Sequence, residues 1–539
     1  MTAGVWLALT AAPAMASEPV ALPSGLHRGA GGRYFQDVCD HALPVHCLSK
    51  RLLPEGFDPF EPGSLAPLFK PRPLFGGQFC AVMQAGQGDS APPSGAMAPS
   101  DVVSAYSLPA SSAAHGQIVA VVDMPDSTAF ADVNQYRSAF GLPALPQCAG
   151  GLPDGKTPCF AQVDANGTPN FTSLDCPGAD PETGLDMEMV SAACPDCSIL
   201  VVQMTNADSG PSYTDFSQAV QTAAKLGAVA TSISFGIPEQ GGESTGFTTP
   251  GHLVLAASGD GGYLNVLVPQ IGGQSPSYPA SAPDVIGVGG TELMALGGGA
   301  YGERVWNDGQ GGAGGSGCSI EFPFPAYQST YLAANAGGFG ACGKRDSVDV
   351  SAAAEFAPAG DNETGIAEFD TQDRWGAVVG TSASSPMVAG IFTRLGLSVA
   401  LSNDLGLPYQ DEGAFNDVTV GDNLVGNTCP DMNCKAGVGW DGPTGLGSPD
   451  GAKLASLASR LGSGSSSGGA GPDGGTVGRS TAKAGCGCEA AGASASTRGL
   501  WGLALACTSG VAWLRRRRPA GPIPGRGTQP PRGPRRCGA

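Results

Sequence analysis

The chain has 539 residues, 84 of them glycine, 45 proline and 16 cysteine, with 41% hydrophobic residues and a formal net charge of −19. Such a length exceeds one ordinary core, so one large domain with appendages is expected. All 47 acidic residues precede residue 490, while nine of the 28 basic ones lie at 498 or later. No basic stripe is left to neutralise phosphates, which excludes nucleic acid as a partner.

Residues 1–17 contain the apolar run Val5-Trp6-Leu7-Ala8-Leu9 followed by Ala14-Met15-Ala16. The small-x-small pattern reads as a signal peptide cut near Ala16, although no Lys or Arg precedes the run. A secretory start predicts an extracellular or cell-surface protein whose cysteines form disulfides rather than metal thiolates. Residues 18–98 are Pro/Gly-rich with weak periodicity and hold Cys39, Cys47 and Cys80. A reduced prosegment and an irregular leader both fit them. Residues 99–109 read as a capped short helix entering the main domain, which spans 99–461.

From Gly116 strands alternate with helices. Ile118 to Asp123 is a continuous apolar strand, followed by a helix from Phe130 to Phe140 that ends at Gly141. Further buried strands are predicted at 199–202, 228–234, 253–257 and 285–289, with helices at 182–193 and 215–226. Fully apolar strands separated by helices imply a parallel sheet covered on both faces, with chemistry beyond the carboxyl ends of the strands. His115, before a strand, and His252, in a turn, read as incidental surface groups. Nine cysteines lie between 148 and 434. Near neighbours pair as Cys148–Cys159, Cys318–Cys342 and Cys429–Cys434, whereas Cys194 and Cys197 form either a tight disulfide or partners for Cys176.

The most informative stretch is Gly380-Thr381-Ser382-Ala383-Ser384-Ser385-Pro386, between a short strand at 375–379 and an apolar helix. A serine at such a turn has its hydroxyl at a helix N-terminus, where free N–H groups and the dipole favour developing negative charge. A second candidate is Pro181-Glu182-Thr183-Gly184-Leu185-Asp186, whose acids at i and i+4 share one helix face. Two carboxyls so close raise one another's proton affinity, and one of them can take a serine proton.

The serine motif resembles those of the subtilisin and sedolisin peptidases. None of the five histidines sits in a Gly-His-Gly-Thr-His-type context, so the imidazole base of a subtilisin is missing. Ser232-Ile233-Ser234-Phe235-Gly236 resembles the substrate-binding segment of sedolisins. Ala256-Ala257-Ser258-Gly259-Asp260-Gly261-Gly262 resembles the motif whose aspartate completes their oxyanion hole. With 278–283, 288–291, 305–307 and 317–319 in order, residues 99 to about 460 are similar to the sedolisin, or serine-carboxyl peptidase, family.

The resemblance implies a subtilisin-like three-layer α/β sandwich with a central, mostly parallel sheet, in an endopeptidase acting in acid on proteins or peptides as a monomer. Ser382 would be the nucleophile, Glu182 the general base, Asp186 its carboxyl partner and Asp260 the protonated oxyanion donor. An ionised aspartate would repel the anion, which ties the reading to low pH. Asp123 would extend the proton network, while Phe235 stands where tryptophan can join it and cannot hydrogen-bond. One structural Ca2+ would be held by the side chains of Asp417 and Asp441 with carbonyls of Val418, Gly437 and Gly439. A catalytically inactive surface-binding homologue is the alternative, opposed by the complete set of four groups.

Residues 462–485 are a Gly/Ser-rich linker. Residues 486–539 combine Cys486 and Cys488, an apolar run from Leu500 to Leu514, and Arg515 to Arg518. The order resembles myxobacterial surface-protein sorting tails, and a plain membrane anchor is the other reading.

Overall fold

The computed structural model describes residues 22–23, 25–29, 32–38, 46–61, 90–169, 181–204, 213–267, 274–335, 342–359, 364–371, 374–429 and 431–464. The expected signal peptide, Cys176 and the tail at 486–539 lie outside them, as does most of the linker. Among the described residues no helix is long and apolar enough to cross a membrane.

The central sheet runs Ala300–Val305, Ile286–Gly297, Leu253–Ala257, Ala230–Ile233, Ile118–Asp123, Ser198–Gln203, Phe160–Asp164, and Val350–Ala357 also pairs with Ile286–Gly297. Every pairing is parallel except the hairpin of Ile286–Gly297 with Ala300–Val305. Alternate side chains sort into two cores, as the two-residue strand period requires. Val119, Val121, Ile199, Val201, Leu253 and Leu255 face one core. Ile118, Ala120, Leu200, Val202, Val254 and Ala256 face the other. Helices Ala129–Ala139, Pro181–Ala193 and Thr381–Arg394 cover the first face, and Tyr213–Lys225 covers the second. The result is the expected three-layer α/β sandwich.

One feature extends the sequence reading and another corrects it. The strand at Arg374–Val379 is not part of the central sheet. It forms an antiparallel pair with Ile366–Asp370 and continues through Lys50–Leu52, Tyr34–Asp37 and Leu26–Arg28 as a second sheet. The described residues before 99 thus contribute three strands to this second sheet. Secondly, His252 is not on the surface. It is buried, with Nδ1 2.6 Å from the Ala228 carbonyl and Nε2 2.9 Å from Thr231 Oγ1, and burial lowers its proton affinity. His115 is exposed as expected.

Disulfides join Cys148–Cys159, Cys194–Cys197, Cys318–Cys342 and Cys429–Cys434. The open choice for Cys194 and Cys197 resolves to their own pair.

Candidate active site

Helix Thr381–Arg394 is buried along its whole length beneath the sheet. Gly380 starts it with φ 143°, a conformation that side chains disfavour, and a Cβ there would lie 2.4 Å from the Leu48 carbonyl oxygen and 2.6 Å from Asp260 Oδ2. The first two N–H groups of the helix, which no helical carbonyl can satisfy, bond to groups at the site. Thr381 N–H donates to Asp260 Oδ1 at 2.9 Å, and Ser382 N–H donates to the Leu48 carbonyl at 3.1 Å. The Thr381 hydroxyl also donates to Asp260 Oδ1, at 2.9 Å. One carboxyl oxygen is thereby anchored and the other, Oδ2, is turned toward Gly380 and Leu48.

Pro386 has no N–H to give to the carbonyl of Ser382, four residues earlier. The Ser234 hydroxyl takes up that carbonyl instead, at 3.3 Å. Ser234 also lies 2.7 Å from Asp186 Oδ1, and its own carbonyl accepts the Ser382 hydroxyl at 3.2 Å. One residue thus links the nucleophile's helix to the acid-bearing helix.

Helix Pro181–Ala193 carries Glu182, Asp186 and Glu188, yet all thirteen of its residues are buried. A helix buried on all sides ordinarily carries no charge, so each acid needs a specific reason to be there. It packs tightly against the serine helix, where a Cβ on Gly390 would stand 2.8 Å from that of Ala193. Glu182 Oε2 accepts a short hydrogen bond from the Ser49 hydroxyl. Glu188 accepts the Phe369 N–H at 3.2 Å, and burial, reinforced by neighbouring Glu368, holds its carboxyl well above the usual range. Asp123 is buried at the carboxyl end of its strand.

The structure brings Glu182, Asp186, Asp260 and Ser382 together from three separate segments, all but Asp260 fully buried and Asp260 7% exposed. Leu48 and Ser49, in the segment left open by the sequence, are the additions. No motif in the Pro/Gly-rich stretch that holds them could have singled them out.

The second acidic pair lies away from this cluster. Asp417 Oδ2 accepts the Gly439 N–H at 2.9 Å, and Asp441 Oδ2 accepts the Gly437 N–H at 3.0 Å. Asp441 also accepts the Thr444 N–H and hydroxyl, at 3.0 and 2.8 Å. Burial pushes the Asp441 carboxyl up to about 7, and nearby Asp417 adds to the effect. Two carboxyls converging on one glycine loop, one of them fully buried, fit a hard divalent cation. Among the described residues the one cluster of three ligand-type side chains, Cys318, Cys342 and Asp346, contains a disulfide and does not suit a metal.

A serine at the head of a buried helix beyond a parallel sheet, in this three-layer architecture, defines a subtilisin-like serine-type peptidase. The Subtilase family profile matches residues 166–397. Kumamolisin of Bacillus sp. (strain MN-32) is 32% identical over 408 residues, 72% of this chain and 67% of the relative. Sedolisin of Pseudomonas sp. (strain 101) is 33% identical over 231 residues, 38% of this chain and 34% of the relative. A solved Pseudomonas sedolisin, a serine-carboxyl proteinase complexed with two molecules of pseudo-iodotyrostatin, aligns with TM-score 0.51 and 25% identity, covering 70% of this chain and all of its own. The chain belongs to the sedolisin family of serine-type peptidases.

Proposed function

We propose that this protein is a secreted endopeptidase that hydrolyses protein or peptide substrates in acid, with carboxyl groups in the role that imidazole plays in subtilisins. Ser382 Oγ attacks the scissile carbonyl and passes its proton to Glu182, which returns it to the leaving amine. Asp186, held by the Ser234 hydroxyl, orients the pair. Protonated Asp260 and the Ser382 N–H donate to the oxyanion, and only the protonated form of Asp260 can do so. The observation that carries this reading is the peptide carbonyl of Leu48 on the Ser382 N–H, crowded against Gly380 with Asp260 Oδ2.

Side chains of Asp417 and Asp441, with carbonyls of Val418, Gly437 and Gly439, would hold one Ca2+, which when bound clamps the loops and adds stability without touching the reaction. The disulfides between described cysteines support an oxidising compartment for the working enzyme.

The test is casein digestion across roughly pH 2.5–7, the carboxylate titration range, with wild type and Ser382→Ala. Activity should rise as pH falls below about 5 and vanish in the variant. A folded wild-type chain inert at every pH would favour the inactive binding homologue.

A further inference from the structure

Asp260 stands on backbone that has few side chains to hold it. Gly259, Gly261 and Gly262 surround it in sequence. The strand Gly261–Tyr263 pairs in parallel with Ala313–Ser316, in which Gly314 and Gly315 are again bare backbone. The second ribbon grips the first by its peptides. Ala313 N–H donates to the Asp260 carbonyl at 3.1 Å, and Gly315 N–H donates to the Gly259 carbonyl at 2.6 Å. So close an approach leaves no room for a side chain, since a Cβ on Gly315 would stand 2.1 Å from the Ser258 carbonyl oxygen. Glycine backbone has many conformations open to it, so a carboxyl that must be placed accurately on such a ribbon needs a clamp from outside.

Asn423 is placed to be that clamp, and it is wholly buried. Its Nδ2 donates to the Gly314 carbonyl at 2.7 Å and to the Ser316 hydroxyl oxygen at 2.8 Å. Its own carbonyl accepts the Tyr263 N–H at 3.0 Å, so one residue holds both ribbons. Gly262 fits beneath it with φ 71°, where a Cβ would lie 2.8 Å from the Asn423 carbonyl oxygen. Asn423 is itself fixed. Its N–H donates to the Cys434 carbonyl at 3.1 Å, at the end of the loop that the Cys429–Cys434 disulfide closes. Asn307 Nδ2 holds the carbonyls on either side, those of Asp422 at 2.8 Å and Leu424 at 3.1 Å.

We propose that Asn423 is a positioning residue for the reaction: through Gly314, Ser316 and Tyr263 it holds Asp260 Oδ2 where the oxygen of the tetrahedral intermediate forms. The proposal rests on Asp260 being the oxyanion donor beside Ser382. That donor acts on the tetrahedral species and not on the bound peptide, so loosening it weakens the hold on the first alone. A misplacement of about 1 Å at a reacting centre costs on the order of 100-fold.

The test compares two ligands on the full-length chain at about pH 4. One is a peptide aldehyde, whose C=O takes up the Ser382 O–H as a tetrahedral hemiacetal, and the other is the alcohol of the same peptide, which cannot react. Residues 48 and 49 must give way to both alike, so the quantity read by calorimetry is the ratio of the two dissociation constants. Asn423→Leu keeps the branched shape and removes the donor. The aldehyde's advantage over the alcohol should fall by at least about tenfold, with the affinity for the alcohol unchanged. In an Asp260→Ala background the same substitution should alter the advantage by less than about twofold, because no carboxyl is left to position. An unchanged ratio, an equal fall in both backgrounds, or loss of the alcohol along with the aldehyde overturns the proposal and leaves the peptidase reading standing. If the wild type shows no advantage for the aldehyde, or Asp260→Ala retains it in full, the oxyanion role of Asp260 falls as well.

Discussion

Asp132 offers a direct reading of how pH bears on this fold. It sits in the first turn of helix Ala129–Ala139, wholly buried, accepting hydrogen bonds from the Thr128 hydroxyl at 2.6 Å and from the Thr371 hydroxyl. Burial raises its carboxyl from 3.8 to about 6, the hydroxyl and backbone hydrogen bonds oppose the rise, and nearby Asp370 adds to it. The folded chain therefore holds a proton that the unfolded chain has already released. That contribution is fully present below about pH 3.8 and is lost as pH rises through about 6. A shift of about two units at about 1.4 kcal/mol each gives about 3 kcal/mol. Asp132→Asn, made with Ser382→Ala to prevent self-digestion, should lose about 2 kcal/mol less stability between pH 4 and pH 7 than its parent, because pH 4 already lies just above the unfolded value. Urea denaturation at those two pH values measures it. An asparagine variant with the parent's pH slope would refute the reasoning. Asp346, fully buried and pushed up to about 8, has the same sign, so the folded chain should keep losing stability up to that pH.

Two further outcomes follow from contacts already described. Ser234→Ala removes the one hydroxyl proton that lies between Asp186 Oδ1 and the Ser382 carbonyl, at about 1–3 kcal/mol for a buried group left short of a donor. Steady-state kinetics should show kcat lower by roughly 10–100-fold with KM little changed, and a variant with unaltered kcat would remove Ser234 from the site. Chelation should lower the melting temperature and added Ca2+ restore it. Asp441→Asn should make melting insensitive to both treatments, and a wild-type melting temperature indifferent to chelator would leave the Asp417–Asp441 loop without a cation.

The central strands were legible because their residues are apolar on both faces, which only a covered parallel sheet requires. Ile118–Asp123 and Leu253–Ala257 appear with the predicted bounds. Phe160–Asp164 and Val350–Ala357 escaped notice because Gln162 and Glu355 break the apolar pattern, although both are buried. The predicted segment at 285–289 extends to Gly297 because its far end folds back on Ala300–Val305 as a hairpin. The four candidate groups could be named from the sequence because serine and carboxyls stand in ordered motifs, each at the start of an element or after a strand. Ser49, Lys50 and Arg51 were not legible. Their burial depends on Glu182, Asp260, Glu368 and Asp370, more than a hundred residues away in sequence, and charged residues in a proline-rich leader read as solvated. His252 was misread for the same reason, since a turn residue's burial depends on what packs over it.

The most direct test of carboxyl-run serine chemistry is the pH dependence of kcat/KM on a single peptide, from about pH 3 to pH 9, for acid-treated wild type and Asp260→Asn. The account predicts wild-type activity that is highest in acid and falls away toward neutrality, with the asparagine variant, which donates a hydrogen bond without needing a proton, losing much less of its own activity over the same rise. A wild-type profile climbing to a plateau near pH 8 would contradict it.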